Sequence, residues 1–357
     1  MKKKEWKVIG LMSGTSLDGI DLVFVKFNKE NSYSFEILAS ESVEYSDLWK
    51  NKLKNAFELS GEKIAKLDSD YGLFLAEVIN NFIEKNTLQQ IDFIASHGQT
   101  IFHQPHLHYT TQIGNGAVIS AETKLPVYCD FRKQDVALGG QGAPLVPIGD
   151  KYLFSEYAFC LNLGGFSNIS FDKNNNRLAF DICPVNIVMN HYAEKLGLAY
   201  DKGGEIAASG KLNLALLDRL NALEFYKSEK PKSLGYEFVV EIIFPLIDEF
   251  SLSIEDVLRT YAEHIAIQIG KVIDKNSANS GGKVLVTGGG AFNHFLIKRM
   301  QFFTLTELVI PPKEIIDFKE AIIFGFLGVL KSQEKVNCLK SVTGARKDHS
   351  SGIYFKI

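Results

Sequence analysis

Apolar residues near the start of the chain fall in two runs, 7–12 and 21–27, which predict two β-strands. The residues between them, 13–19, are small or polar and include Gly14 and Gly19. A third strand is predicted at 35–39. The chain therefore begins as a β-hairpin with a loop of small residues at its first turn.

A long amphipathic helix is predicted next, because apolar residues recur at three-and-four spacing from Ile64 to Phe82. Further strands are predicted at 91–95, 110–113 and 127–129, with a helix at 116–123. Strands that alternate with helices predict an α/β sheet covered on both faces.

The same pattern restarts near residue 159. Two short strands, 159–163 and 168–171, are joined by a turn that begins with Gly164 and Gly165. The later segments are a strand ending at Asp181, helices from 186, at 237–250 and at 254–273, a buried strand at 284–287, a glycine triplet, a helix from 293 and a last helix at 319–330.

The repeated hairpin indicates a structural duplication, with two α/β lobes and a cleft between them. We expect the first lobe to comprise 1–130 plus about 335–357, and the second to comprise 131–334. The length of 357 residues agrees, since a domain of roughly 150 residues is typical.

Composition and charge narrow the function. The chain is 46% hydrophobic and 23% charged, as in ordinary globular proteins. A net charge of −3 provides no positive field for nucleic acid or an anionic membrane. The basic start has too short an apolar stretch for a signal peptide, and the four cysteines form no CxxC pair. We expect a cytoplasmic protein with no nucleic-acid or membrane partner.

The two hairpin loops are the first candidate chemistry. Consecutive N–H groups in a glycine-bearing turn form an anion-binding nest, although either loop alone could be a plain turn. The third glycine cluster, Gly288 to Gly290, lies between a strand and a helix and favours nucleotide binding. Neither a P-loop nor a GxGxxG motif occurs in the sequence.

Three carboxylates are candidates for proton transfer or metal binding. Asp181 lies between a strand and a helix, where α/β folds open onto their ligands, though it could instead cap the helix. Asp18 and Asp21 flank the first loop and could hold Mg²⁺ through water, or they could simply form the turn.

Other polar residues also follow strands. The run 96–100 contains His97 and Thr100, and a structural histidine is the alternative there. Arg132 follows another strand and precedes the glycine-rich loop 139–144, which could be a hinge. Cys183 is more typical of a buried, inert thiol than of a nucleophile.

Taken in order, these segments resemble the signatures of the anhydro-N-acetylmuramic acid kinase family. The most specific are the run GLMSGTSLDGID at 10–21 and the run GGQGAPLVP at 139–147. The segments 96–100, 130–132, 162–168, 207–210, 231–233, 288–293, 319–321 and 341–345 also match, so the resemblance covers nearly the whole chain.

The resemblance implies the two duplicated lobes of the actin/hexokinase/Hsp70-like (ribonuclease H-like) ATPase fold. It also implies a reaction of peptidoglycan recycling: ATP phosphorylates O6 of 1,6-anhydro-N-acetylmuramic acid while water opens the 1,6-anhydro bridge. The products are N-acetylmuramic acid 6-phosphate and ADP. ATP and Mg²⁺ are the implied cofactors, and the family suggests a homodimer.

The resemblance also assigns roles to residues. Asp181 matches the general base that activates the water, and Glu320 a second acidic residue of the site. His97, Thr100 and Arg132 lie in stretches that line the sugar pocket. The expected ATP-binding residues are Gly14, Thr15, Ser16, Leu17, Asp18, Gly19, Ile20, Asp21, Gly164, Gly165, Asn168, Gly288, Gly289 and Gly290.

The sequence departs from the family pattern beside Asp181. Ile182, Cys183 and Val185 replace a threonine and two glycines, and we expect this apolar bulk to reshape the sugar site. A kinase for another amino or anhydro sugar, or a nucleotide-binding paralogue without catalysis, therefore stays an alternative.

Overall fold

The computed structural model describes residues 3–14, 17–227, 233–277 and 282–357. The strands of these residues are β1 Glu5–Ser13, β2 Gly19–Lys29, β3 Tyr33–Glu44, β4 Phe93–Ser96, β5 Gln99–Gln104, β6 Tyr109–Ile113, β7 Val127–Cys129, β8 Phe159–Leu163, β9 Phe166–Lys173, β10 Asn176–Pro184, β11 Lys283–Thr287, β12 Glu307–Val309 and β13 Ile353–Phe355.

The α-helices of the same residues follow the order of the chain. They are α1 Asp47–Lys54, α2 Gly61–Lys85, α3 Gly116–Thr123, α4 Lys133–Ala137, α5 Pro147–Leu153, α6 Asn186–Glu194, α7 Glu205–Ser209, α8 Leu214–Asn221, α9 Glu224–Lys227, α10 Tyr236–Phe238, α11 Phe244–Asp248, α12 Ile254–Asn276, α13 His294–Phe302, α14 Lys313–Ser332 and α15 Lys340–Thr343.

The chain divides into two compact units. Unit 1 comprises Met1–Leu153 and Phe318–Ile357, and unit 2 comprises Phe154–Asp317. The expected lobe limits therefore differ from the structure, which places 131–153 and 318–334 in unit 1. The reason is packing on α14: a Cβ on Gly10 of β1 would lie 2.2 Å from the carbonyl oxygen of Ala321, and a Cβ on Gly149 of α5 would lie 2.5 Å from the Ile323 side chain.

Unit 1 is built on a six-stranded sheet in the order β13-β7-β4-β1-β2-β3. The hairpin strands β1, β2 and β3 pair antiparallel, whereas β4 is parallel to β1 and β7 is parallel to β4. The apolar stripe of α2, which includes Tyr71 and Ile79, packs in one core with Ile9 and Leu11 of β1. On β1, Gly10 meets α14, so helices cover both faces of the sheet.

Unit 2 is built on a five-stranded sheet in the order β10-β9-β8-β11-β12. Here β8, β9 and β10 pair antiparallel, and β11 is parallel to β8 and to β12. Helix α12 contributes Tyr261 to the core, and its hydroxyl donates to the Pro184 carbonyl at 3.1 Å.

The two sheets share one strand order. Counting the strands of each sheet from its hairpin, the first five read third-second-first-fourth-fifth in both, and among these five only the second strand is antiparallel to its neighbours. The sheet of unit 1 adds β13, which pairs antiparallel with β7. The predicted duplication of an α/β design is therefore confirmed. It is the doubled architecture of the actin/hexokinase/Hsp70-like fold.

Two details differ from the sequence prediction. The strand expected at 110–113 is present as β6, but it pairs with β5 in a separate two-stranded sheet and not with the main sheet. The alternation of apolar and polar residues could not predict this, because it does not specify the partner of a strand. The helix expected at 237–250 is divided into α10, a π-helical segment Val239–Ile243 and α11. No helix among the described residues is long and apolar enough to cross a bilayer.

Candidate active site

The predicted phosphate loop of unit 1 is held at its start by the segment that follows β4. The Ser13 hydroxyl donates to the Gly98 carbonyl at 2.7 Å, and the Gln99 amide donates to the Gly14 carbonyl at 3.2 Å. The backbone N–H of His97 donates to the Leu11 carbonyl at 3.1 Å. The first predicted ATP residues and the predicted sugar residue His97 are thus neighbours.

The remainder of the loop turns back into β2. Thr15 and Ser16 lie outside the described residues. Leu17 has a left-handed backbone (φ 59°), and its N–H donates to the Gly14 carbonyl. Gly19 leaves no room for a side chain, since a Cβ would lie 2.4 Å from the Val43 carbonyl oxygen. Ile20 is fully buried, so only its backbone could face a ligand.

The two acidic residues of this loop have different surroundings. Asp18 is exposed in the turn, and its carbonyl accepts the Tyr45 N–H at 3.4 Å. Asp21 lies on β2, where it accepts the Ser42 hydroxyl at 2.5 Å. Asp21 also lies near Glu320 of α14, since its charge helps to raise the pKa of that carboxyl.

His97 and Arg132 form a direct pair in unit 1. The Nε2 atom of His97 accepts from Nε of Arg132 at 3.0 Å and from one of its terminal nitrogens at 2.8 Å. The Nδ1 atom lies 3.1 Å from the Ser13 carbonyl, which assigns the proton to Nδ1. Burial, with the charge of Arg132, lowers the pKa of His97 to about 3, so the imidazole is neutral.

Arg132 is positioned without using all of its donors. Its other terminal nitrogen donates to the Gly142 carbonyl at 2.7 Å. A guanidinium has five N–H groups, of which these contacts to His97 and Gly142 take three. Burial lowers the pKa of Arg132, and neighbouring Glu320 opposes that shift.

Glu320 completes the charged group of unit 1. Its side chain keeps a solvent-accessible surface, yet the surrounding protein desolvates the carboxylate enough to raise its pKa. Arg132 and Lys319 oppose this shift. Lys319 is itself buried against Asp150, with 2.7 Å between Nζ and Oδ1.

Thr100 lies on β5, where its hydroxyl accepts an N–H of the Gln112 side-chain amide at 3.2 Å.

The glycine-rich loop after α4 is held in place by hydrogen bonds to neighbouring segments. The Gly142 N–H donates to Asp135 at 2.7 Å, and the Gln141 N–H donates to the Thr343 carbonyl at 2.8 Å. The carbonyl of the same Gly142 binds Arg132, so this loop helps to position the guanidinium.

Asp181 lies in unit 2, inside β10 rather than at its end. The strand continues beyond Asp181 to Pro184, and its pairing with β9 shifts register between Asp181 and Cys183. The carboxylate accepts the Leu234 N–H at 2.9 Å and the Ser233 hydroxyl at 3.3 Å. Burial raises the pKa of Asp181, and these two hydrogen bonds oppose the shift.

The apolar residues after Asp181 do not share its exposure. Ile182, Cys183 and Val185 are all buried in the core of unit 2. The backbone N–H of Cys183 donates to Ser167 at 3.1 Å. The bulk that was expected to reshape the surface beside Asp181 therefore points into the protein.

The turn between β8 and β9 contacts the start of α6. The Gly165 carbonyl accepts the Val185 N–H at 2.7 Å, and the Gly164 carbonyl accepts the Asn186 N–H at 3.2 Å. Asn168 on β9 is exposed and lies opposite Asp181 in the strand register. The turn at Gly164 and Gly165, Asn168 and the predicted base Asp181 therefore lie toward the same end of neighbouring strands.

The glycine triplet after β11 packs against the same turn. Gly288 has φ 82°, and a Cβ there would lie 2.6 Å from Oδ1 of Asn162. A Cβ on Gly290 would lie 2.7 Å from the Leu163 side chain. A Cβ on Gly289 would lie 3.6 Å from the amide nitrogen of Asn186, an ordinary contact distance. Close approach of the neighbouring atoms therefore explains the glycines at 288 and 290.

Comparison with known proteins decides the family. The family model described as anhydro-N-acetylmuramic acid kinase matches residues 6–356. The chain belongs to this kinase family. It is 33% identical to the anhydro-N-acetylmuramic acid kinase of Haemophilus influenzae and 34% identical to that of Mannheimia succiniciproducens. The matches cover 97% of this chain and 97% and 98% of those relatives.

As a member of this family, the protein is a sugar kinase that uses ATP. Several positions around the candidate site of the kinase were not singled out from sequence. Ser233 and Leu234 hold Asp181 from more than fifty residues away, and Asp135 supports the loop that holds Arg132. No local sequence pattern predicts such contacts. The one indication in the sequence was that these residues lie in or near segments that resemble the kinase family.

Proposed function

We propose that the protein phosphorylates O6 of 1,6-anhydro-N-acetylmuramic acid with ATP while water opens the anhydro bridge at C1. The products are N-acetylmuramic acid 6-phosphate and ADP, as in the recycling of peptidoglycan. The observation that carries this proposal is the family match over residues 6–356, with an acidic residue retained at position 181.

In this proposal Asp181 is the general base. It takes a proton from the water that bonds to C1, while the C1–O6 bond breaks and O6 bonds to the γ-phosphorus of ATP. The bond from that phosphorus to ADP breaks in the same process, and the proton passes from Asp181 to solvent. The two hydrogen bonds to Asp181 fix one carboxylate oxygen and leave the other for water.

We propose that Arg132 binds the anionic reactants through the two N–H groups not used on His97 and Gly142. His97 then acts through Arg132, as a positioning residue. Thr100 is proposed to contact the sugar, and Glu320 to act as the second acidic residue.

ATP is proposed to bind through backbone groups of 14–21, 164–168 and 288–290, which contain the glycines described above. Phosphoryl transfer needs positioning and charge neutralisation, and Mg²⁺ supplies the latter when bound. The carboxylates of Asp18 and Asp21 are hard oxygen donors that fit this ion, with water completing its coordination.

We further propose that the protein is cytoplasmic and forms a homodimer. The support is the family resemblance together with the composition of the chain. Light scattering on the purified protein tests the dimer, since a monomer at micromolar concentration contradicts it.

The function is tested by ADP release in a coupled assay with the anhydro sugar. We expect sugar-dependent turnover by the wild type and a loss of about 100-fold or more in kcat for Asp181→Asn. Asp218→Asn, an exposed change on α8 of the same unit, is the matched control and should keep wild-type turnover. No turnover by the wild type rejects the substrate, whereas full turnover by Asp181→Asn rejects the base.

A further inference from the structure

A cluster of three possible metal ligands lies in unit 1, and none of the three is assigned to the reaction. Among the described residues, Asp135, Cys338 and His349 each offer one ligand atom, and these atoms lie within 4.8 Å of one another. All three side chains are buried. Asp135 is on α4, whereas Cys338 and His349 pair as an isolated antiparallel β-bridge near the end of the chain.

The imidazole of His349 presents a lone pair to this cluster. Its Nδ1 atom lies 3.2 Å from the Lys347 carbonyl, which assigns the proton to Nδ1. Its Nε2 atom is buried and has no hydrogen-bond partner among the described residues. That atom lies 3.5 Å from Oδ1 of Asp135. A neutral imidazole nitrogen and a carboxylate oxygen facing each other in the interior repel unless a cation or proton lies between them.

The surroundings of the three groups resemble those of a metal site. A ligating histidine usually donates its second N–H to a carbonyl, as His349 does to Lys347. The carboxylate of Asp135 is oriented by the Thr343 hydroxyl at 2.7 Å and by the Gly142 N–H. The 3.5 Å separation between nitrogen and oxygen is close to the roughly 3.3 Å between two ligands of one tetrahedral ion that has bonds of about 2.0 Å to each.

We propose that Asp135, Cys338 and His349 bind one Zn²⁺ ion. One sulfur, one imidazole and one carboxylate form a donor set that suits zinc better than Mg²⁺ or Ca²⁺, which prefer oxygen alone. Three protein ligands leave a fourth position for water or for the hydroxyl of Ser351, which lies beside the Cys338 thiol.

Zinc binding has a defined proton balance. The sulfur binds as thiolate, so the S–H bond breaks, the sulfur pair binds the ion and the proton goes to solvent. Thiolate and carboxylate together neutralise the ion, and the nearby guanidinium of Arg132 therefore does not oppose binding.

The site would join two parts of the sequence that meet at the glycine-rich loop. Asp135 and Thr343 both hold that loop, and its Gly142 carbonyl binds Arg132. A zinc ion would fix the C-terminal segment to α4 and so stabilise unit 1. This role is structural and does not depend on which sugar the protein phosphorylates.

The test is the metal content of the full-length protein. Wild type is loaded with Zn²⁺, dialysed against a weak chelator and analysed by mass spectrometry of the metal. We expect one zinc per chain, and about tenfold less in Cys338→Ser and in His349→Gln. Cys129→Ser, which changes another buried thiol of unit 1, should keep the wild-type content.

Two further readouts separate loss of the site from loss of the fold. Loading with Co²⁺ should give a thiolate-to-cobalt charge-transfer band that is absent from Cys338→Ser, while circular dichroism reports whether the variant is folded. In weak buffer, Zn²⁺ should release about one proton per chain. A wild type without bound zinc, or a folded Cys338→Ser that keeps its zinc, overturns the proposal.

Discussion

Nε2 of His97 accepts two N–H groups of Arg132, at 3.0 and 2.8 Å. This is possible only because the proton of the imidazole lies on Nδ1, where the Ser13 carbonyl receives it. The predicted phosphate loop therefore determines the tautomer of His97, and His97 determines the orientation of Arg132. A change in the loop is transmitted to the guanidinium through one neutral ring.

We predict that His97→Leu lowers kcat/KM about 10- to 100-fold, because buried N–H groups of Arg132 lose their acceptor. His97→Gln keeps an acceptor oxygen and should retain more activity than the leucine variant. Steady-state kinetics on both, with the exposed His106→Leu as control, measures the difference. Equal losses in the leucine and glutamine variants would exclude this role for His97.

A second prediction concerns acid stability. Burial, with a nearby charge, lowers the pKa values of His97 and His264 to about 3, against 6.5 in the unfolded chain. Between these values the unfolded state binds more protons, so stability is lost as the pH falls below about 6.5. Each histidine should cost about 2 kcal/mol at pH 5 relative to pH 8.

The measurement for this second prediction is the free energy of unfolding in urea across pH 5 to 8. His264→Gln removes one of the two titrations, so its curve should fall less steeply with acid than that of the wild type. Parallel curves for the two proteins would contradict the prediction, whatever the absolute stability of the variant.

Sequence predicted the repeating parts of this fold well. The spacing from Ile64 to Phe82 is local information, and α2 forms as expected because one face of it can be buried. The strand at 110–113 was recognised too, but its partner was not, since pairing with β5 depends on the chain closing a turn. The local pattern of apolar residues therefore predicts a strand, whereas the strand it pairs with depends on the whole fold.

The candidate site shows the same division. Asp181 could be selected from its place between a strand and a helix, but the Leu234 N–H that it accepts comes from a distant segment. Likewise, the apolar residue types at 182, 183 and 185 were visible in the sequence, but their burial was not. Side-chain direction after a register shift cannot be determined from alternation alone.

A third prediction uses the glycine triplet. Gly288→Ala should destabilise unit 2 by about 1–3 kcal/mol and raise KM for ATP, because its Cβ would lie 2.6 Å from Asn162. Gly197→Ala is the control for a methyl group added at a similar φ, 77°, where nothing lies within 4 Å of the new Cβ. Thermal unfolding and ATP kinetics are measured for both variants, and equal losses in the two would contradict an effect of the Asn162 contact.

A fourth prediction concerns the hydroxyl that Asp181 accepts. The Ser233 hydrogen bond lowers the pKa of this buried carboxyl, so Ser233→Ala should raise it. Since a general base must be ionised, the acidic limb of the kcat/KM profile should move to higher pH.

The control for this fourth prediction is Ser209→Ala, whose exposed hydroxyl donates to the Ile206 carbonyl and not to Asp181. Its pH profile should match that of the wild type. An acidic limb that stays in place in Ser233→Ala would show that Asp181 does not determine it.

The discontinuity of unit 1 has a consequence for synthesis on the ribosome. Unit 2 is one continuous stretch and is complete once residue 317 has emerged, whereas the sheet of unit 1 lacks the helix that packs on Gly10 until α14 follows. Domains usually fold in the order in which they are made. Unit 1 is therefore the first to begin synthesis and the last to be completed. The face of β1 that α14 covers is exposed in the growing chain while unit 2 folds.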